Sequence, residues 1–386
     1  MGVNRFQDYF VLIMVIVSTG TFFSITFSPF VNLLLVLSVF SGVVLRLSKD
    51  KPATVSALGG SIVLTLLVFM TFANLFLYFR LGSDEKYSVS FVLFAFKLVL
   101  IFFVVDKDKF WPVYCNVGIF ISVFSLFLYF LIIFLGFNFL PEWQVGKVKT
   151  SYLITVYGND FVQANLKRNS SIFYEPGVYG AFLTLAFLFE IGKDKVLKKR
   201  LVVLAVSALT TMSPVTISLF FVIILYAVLK NSRKIIIWLF FGVPIVFYVI
   251  YYLVSFKLES YSFYLRMEDI FLGLEIFYEN PVLGVGLFNE SSVIDYYYSR
   301  EGVERGLSNG IVTLLYQGGI IFSVLYLIPM AFSLSGNKLF SFISAFSVIF
   351  LILMSQPLQF SNLFIFIYCV GVQRMTYSRA YTSQIK

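Results

Sequence analysis

The chain has no histidine. Imidazole is therefore excluded as acid, base or metal ligand, and with it the commonest general base of enzyme chemistry. Charge is scarce as well. Only 13% of the 386 residues are Asp, Glu, Lys or Arg, against about 25% in an ordinary soluble domain. The two cysteines, Cys115 and Cys369, are too few for a disulfide framework. No internal repeat is visible, which counts against an inverted-repeat transporter.

What fills the chain is apolar side chains, 59% of the residues. One soluble core cannot bury so much, because cores stop growing near ~250–300 residues. A bilayer removes the difficulty, but it demands helices or a closed barrel. The apolar runs are continuous instead of alternating, so helices are expected. Near the N-terminus Arg5 precedes an apolar stretch from about Tyr9 with no small-x-small cleavage site, which reads as a retained first helix.

At about 20 apolar residues per span, helices are expected near 7–26, 30–46, 54–79, 88–105, 112–138, 177–191, 200–212, 214–229, 235–254, 310–332, 338–354 and 360–373. Met212-Ser213-Pro214 divides one long apolar stretch and reads as a tight turn; a single kinked helix is the competing reading. With the N-terminus inside, the inner segments hold 18 basic residues and the outer ones 10, with Lys97 inside a span. The positive-inside rule then puts both termini in the cytoplasm, anchored most strongly by the lysine-rich hairpin at 192–200. The formal net charge of +9 belongs to these short inner segments, not to a nucleic-acid-binding face. Two outer segments are long, about 136–174 and 255–308, and long ordered loops are usually functional.

Ser262 to Glu279 reads as an amphipathic helix stopped by Asn280-Pro281. Met267, Ile270, Phe271, Leu274, Phe277 and Tyr278 share one face; Arg266, Asp269 and Gly273 share another. The expected place of this helix is the membrane surface or the cap of the bundle.

Four features carry candidate chemistry. Arg168, ahead of Phe173-Tyr174-Glu175-Pro176-Gly177, pairs an anion-binding cation with a carboxylate at a helix start; a plain helix-start signal is the bland alternative. Tyr264 and Arg266 precede Asn280-Pro281-Val-Leu-Gly284-Val-Gly286, whose Gly-x-Gly follows no strand and so fails the dinucleotide pattern. Arg300 and Arg305 lead into Ser308-Asn309, and Asn309 is a good helix cap in any protein. Lys97 lies mid-span, where a lysine costs ~2.5–3.5 kcal/mol, so it is expected to face a partner or a wet cavity, or else to snorkel.

Taken together, the outer segments resemble the superfamily of O-antigen polymerases and O-antigen ligases, bacterial envelope glycosyltransferases. The Wzy-type polymerase branch is the nearer. The resemblance covers roughly 160–330 and rests on Arg168 with the aromatic-Glu-Pro-Gly run, on Arg266 with the Asn-Pro-x-x-Gly-x-Gly run, and on Ser308-Asn309 followed by Gly318-Gly319. The ligase branch carries histidine where Ser308 stands.

The resemblance implies an all-α, GT-C-like bundle of about twelve transmembrane helices forming a single integral membrane domain over 1–386, with short amphipathic helices in its two long outer loops. It implies a bacterial cytoplasmic membrane location with the active site on the outer face. Undecaprenyl-pyrophosphate-linked oligosaccharide is the implied donor and acceptor, with membrane lipid and a chain-length regulator as further partners. The growing glycan would pass en bloc to a new lipid-linked unit. Charge builds on the pyrophosphate as the glycosidic bond breaks, and fixed arginines stabilise such charge. On this reading Arg168 and Arg266 clamp pyrophosphate, Glu175 is the general base, Arg300 and Arg305 bind phosphate or sugar, and Tyr264 and Asn309 orient sugar. Lys97 joins them as a substrate-binding candidate. No tight acidic cluster stands in the loops, so a metal-free mechanism without cofactor is expected. A lipid-linked oligosaccharide flippase and an O-antigen ligase are the alternatives.

Overall fold

The computed structural model describes residues 3–47, 57–81, 85–135, 142–145, 148–151, 168–193, 197–213, 261–302, 305–335 and 339–383, with isolated residues between 216 and 251. The expected spans at 214–229 and 235–254 lie largely outside them. The described chain is helical apart from one antiparallel ribbon. It forms two compact units, Met1–Leu34 with Trp111–Phe263, and Leu35–Phe110 with Tyr264–Lys386.

The first unit holds α1 (Val3–Val17), α2 (Phe22–Thr26), the start of α3 (Ser28–Leu47), α6 (Phe110–Leu135, from Trp111), the ribbon β1 (Glu142–Val145) and β2 (Val148–Ser151), α7 (Pro176–Ile191) and α8 (Lys198–Thr210). The single span expected over 7–26 is broken. Ser18 and Thr19 turn their hydroxyls back onto the Val15 carbonyl, Gly20 takes a φ of +60°, and Thr21 caps α2. The break frees Thr21 to pair with Phe173 as an isolated β-bridge. An aromatic core joins α6 to α7: Trp111 stacks on Phe189, and Tyr114 leans on Phe182 and donates to its carbonyl. The first long loop contains the ribbon, not the short amphipathic helix expected there, among its described residues. At Met212 the chain takes a positive φ and α8 ends at Thr210, so α8 does not run on through Met212; Pro214 lies outside the described residues.

The second unit holds the rest of α3, α4 (Ala57–Leu81), α5 (Glu85–Val104), α9 (Tyr261–Glu279, from Tyr264), α10 (Ser291–Glu301), α11 (Gly310–Ser335), α12 (Leu339–Ser355) and α13 (Asn362–Ser383). α13 is its axis. Residues Leu363 to Val372 are apolar on all sides and buried, the pattern of a helix surrounded by others. Gly371 lets α13 approach the backbone of Pro329 on α11, since a Cβ there would meet the Pro329 carbonyl. α13 runs to Ser383, beyond the 373 expected.

Two described helical stretches, Phe110–Phe134 and Gly310–Leu334, are long and apolar enough to cross a membrane. Apolar stripes at helical spacing stand exposed on other helices: Phe30, Leu33, Leu37 and Phe40 on α3, and Leu64, Val68, Phe72 and Leu75 on α4.

Candidate active site

The second unit gathers most of the predicted residues. α9 is the helix expected over 262–279, and its apolar face is split: Ile270 and Phe277 pack against the buried core of the unit while Phe271 and Tyr278 stay exposed. Phe271 and Tyr278 are 66% and 75% exposed, while Asp269, Leu272, Gly273 and Ile276 are buried. Gly273 explains the choice. A Cβ at that position would meet Val312 at 2.2 Å, so the glycine seats α9 on the first turn of α11. The stripe read from the sequence as polar is part of the packing face, and it carries a carboxylate inward.

Asp269 is fully buried, a position a carboxylate occupies only when paired and hydrogen-bonded. Its Oδ1 accepts from the Tyr297 hydroxyl at 2.6 Å. Its Oδ2 accepts from the Ser308 amide at 2.9 Å and from the Ser308 hydroxyl. The Arg305 guanidinium stands 3.5 Å from Oδ1 and lies over the Tyr297 ring, 3.7 Å from its centroid. Burial pushes the Tyr297 phenol well up from its usual range, and its bond to Asp269 pushes it further. This hydroxyl is a permanent donor near neutral pH.

The neighbouring residues repeat the arrangement at the surface. Glu268, one residue before Asp269, pairs with Arg300 at 3.3 Å and accepts from the Tyr296 hydroxyl. Arg300 lies over the Tyr296 ring, 4.8 Å from its centroid. Two successive acids on α9 thus hold two successive tyrosines on α10, and each tyrosine carries an arginine. The inner arginine is 23% exposed and the outer 62%. α10 itself was not expected from the sequence; it ends at Gly302 in a left-handed cap.

Arg266 donates to the carbonyl of Ser355, the last residue of α12. Asn309 caps α11, its Oδ1 accepting from the amides of Ile311 and Val312, and its amide contacts Met354. Both therefore meet the end of α12. Tyr264 is exposed on α9. Lys97 is half-buried on α5, next to the buried pair Phe94 and Leu98.

The Asn-Pro-x-x-Gly-x-Gly run is not a phosphate cradle here. It completes a helix. α11 is broken at Gly319, whose φ is +65° and ψ −176°. The carbonyls freed by the break accept from the loop: Tyr316 from the Val285 amide at 2.8 Å, and Gln317 from the Gly286 amide at 3.0 Å. In return Ile320 donates to the Pro281 carbonyl at 2.9 Å. Side chains finish the lock, with Gln317 accepting from the Phe288 amide and Asn74 from the Leu287 amide. A Cβ on Gly284 would meet Gln317 oxygen at 2.4 Å, and one on Gly319 would meet Val282 oxygen at 2.2 Å. Two motifs that look separate in sequence, Gly284-x-Gly286 and Gly318-Gly319, form one device.

Arg168 and Glu175 belong to the first unit. Arg168 Nε donates to the Thr211 carbonyl at 3.0 Å, at the end of α8. Asn169 is buried and ties the segment down: its oxygen accepts from the Ser125 hydroxyl and the Ser171 amide, and its amide donates to Thr210. Tyr174 donates from its backbone to Gly20. Glu175 is exposed at the start of α7, with Pro176 in the first turn as expected. Burial raises the Tyr174 phenol above its usual range, and Glu175 beside it adds to this.

Glu268 and Asp269 are not candidates on the sequence alone, although they organise this cluster. Gly273 within a helical pattern was the available signal, since such a glycine marks close packing on its own face. Asp269 shares that face.

No protein-family model matches the chain, and a search of curated proteins finds no match.

Proposed function

We propose that the chain is a polytopic membrane enzyme that polymerises lipid-pyrophosphate-linked oligosaccharides by en bloc glycan transfer. Wide apolar stripes on α3 and α4 support the membrane reading, because soluble proteins seldom leave such surfaces bare. One observation carries the enzymatic reading. The residues bearing the resemblance in the second unit (Arg266, the Asn280–Gly286 loop, Ser308-Asn309 and Gly318-Gly319), together with the candidate arginines Arg300 and Arg305, are knit together by α9 and the α11 break. A locked scaffold of this kind suits preorganised charge stabilisation.

In this reading Arg305 and Arg300 face the lipid pyrophosphate and stabilise the charge left as the glycosidic bond breaks. Asp269 and Tyr297 hold the Arg305 guanidinium in one plane, so little reorganisation is needed at the moment of transfer. Arg168 and Glu175 also receive chemical roles, at phosphate and acceptor hydroxyl, and Glu175→Gln in the same ladder assay should abolish long chains if the carboxylate is the base.

The experiment is an envelope polysaccharide ladder in cells carrying Arg305→Ala or Arg300→Ala, with protein levels measured in membranes. Loss of long chains at normal protein levels is expected. Unchanged ladders from both variants would refute the assignment. Lipid-linked repeats that cross the bilayer without lengthening would favour the flippase instead.

A further inference from the structure

The first unit contains a feature that the catalytic reading leaves unused. An apolar groove of about 410 Å³ runs between α1 and α6. Tyr9, Ile13 and Val17 line it on α1, Asn116 and Ile121 on α6, and Ile172 from the segment before α7. From Tyr9 to Val17 it follows about 12 Å of helix at 1.5 Å per residue.

The other end is polar and basic. Asn116 donates to the Tyr9 hydroxyl at 2.9 Å and accepts from Arg200. Arg200 also pairs with the buried carboxylate of Glu190 at 2.8 Å, and Lys193 pairs with the same oxygen at 2.6 Å. Two cations thus share one acid. Lys198 and Lys199 stand exposed immediately before Arg200 in α8. Asp194 and Lys195, within this basic stretch, lie outside the described residues. Over 190–200 the sequence carries five cations (Lys193, Lys195, Lys198, Lys199 and Arg200) against two acids (Glu190 and Asp194), so positive charge is left over in the segment that Arg200 ties to the groove through Asn116.

We propose that the first unit binds an anionic phospholipid, with one acyl chain lying in the α1–α6 groove and the headgroup phosphate resting on Lys198, Lys199 and Arg200. The groove matches a hydrocarbon chain because its walls are almost wholly apolar. The basic end matches an anionic headgroup because lysines near a membrane surface each favour such lipids by about 1 kcal/mol. Neither half alone selects a ligand; their continuity through Asn116 and Arg200 selects a molecule with both parts. The proposal rests on the chain being a membrane protein.

The test uses the full chain purified in detergent. Phosphatidylglycerol and phosphatidylcholine with identical acyl chains are added in turn, and bound lipid and thermal unfolding are measured. Phosphatidylglycerol should bind on the order of tenfold more tightly, and inorganic phosphate alone should have no effect. Combined Lys198→Ala and Lys199→Ala should erase the preference while leaving some binding of both lipids. Ile13→Trp, which fills the groove at a partly open position, should weaken both lipids together. Equal binding of the two lipids to the native chain would overturn the proposal, as would stabilisation by inorganic phosphate alone. Extraction of the chain from membranes by alkaline carbonate would instead refute the membrane reading beneath it.

Discussion

Asp269 and Ser308 are 39 residues apart in sequence and joined twice, through the serine amide and the serine hydroxyl, to one carboxylate oxygen. The other oxygen serves Tyr297 and Arg305. A buried acid with this many partners fixes where α9, α10 and the start of α11 meet. Removing it leaves the inner arginine beside an empty position. Asp269→Ala should lower stability by about 3–5 kcal/mol, the usual cost of breaking one side of a buried pair. Asp269→Ala combined with Arg305→Met should recover part of that loss, read as a non-additive cycle in thermal unfolding. Strict additivity would show that the pair is not coupled.

The lock between the glycine loop and α11 predicts a sharp response to one methyl group. Gly319→Ala must place a Cβ against the Val282 carbonyl in a left-handed conformation. The conformation, with ψ near 180° and essentially confined to glycine, alone costs about 1–3 kcal/mol, and the contact adds to it. Gly284→Ala, which meets Gln317 oxygen, should be similarly harmful. Gly302→Ala, with open space around its Cβ, should cost only the conformational part. Folded yield and melting temperature rank the three.

Arg168 and Arg266 each hold a carbonyl at the end of a helix. A cation there contributes about 0.3–1 kcal/mol, and lysine supplies the charge but not the planar fork. Arg266→Lys and Arg168→Lys should therefore keep near-native melting temperatures. If long glycan chains vanish in these lysine variants, the guanidinium has a chemical role beyond the helix end. If chain length is unchanged in Lys and Ala variants alike, both arginines are structural only.

The raised Tyr297 phenol gives a pH dependence of definite sign. Its protonated form is the one favoured by folding, so its contribution is complete below the ordinary tyrosine value of 10.0. It is lost as pH rises through the higher folded value. Stability should fall on the alkaline side, and Tyr297→Phe should flatten that fall while costing stability at neutral pH. An identical alkaline profile in Tyr297→Phe would assign the titration to another group.

How much of this could be read from residues alone depends on the element. α9 is legible because its spacing is helical and Asn280-Pro281 stops it. Its seating is not, because spacing alone does not say that Asp269, Leu272, Gly273 and Ile276 are the buried positions. Gly273 decides it through contact with Val312, a long-range fact. The break at Gly20 was hidden in an apolar run for the same reason, since its purpose is the pairing of Thr21 with Phe173. The helix cap at Asn309 was plain, being a local matter. The acid–tyrosine–arginine pairs were not, because they join residues about thirty positions apart. The α11 break was equally obscure: Gly318-Gly319 looks like a helix step until the loop 35 residues earlier is laid against it.

That broken helix bears on how the protein is made. Beyond Gly319, residues 320–335 extend about 24 Å, less than the ~30 Å of a bilayer interior. With α11 crossing the membrane, its open carbonyls at Tyr316 and Gln317 fall within reach of lipid, where bare backbone is not tolerated. The partners for those carbonyls come from residues 285 and 286, which leave the ribosome first. On the proposed membrane reading, the loop has to be held until α11 arrives, so that the two enter the bilayer together.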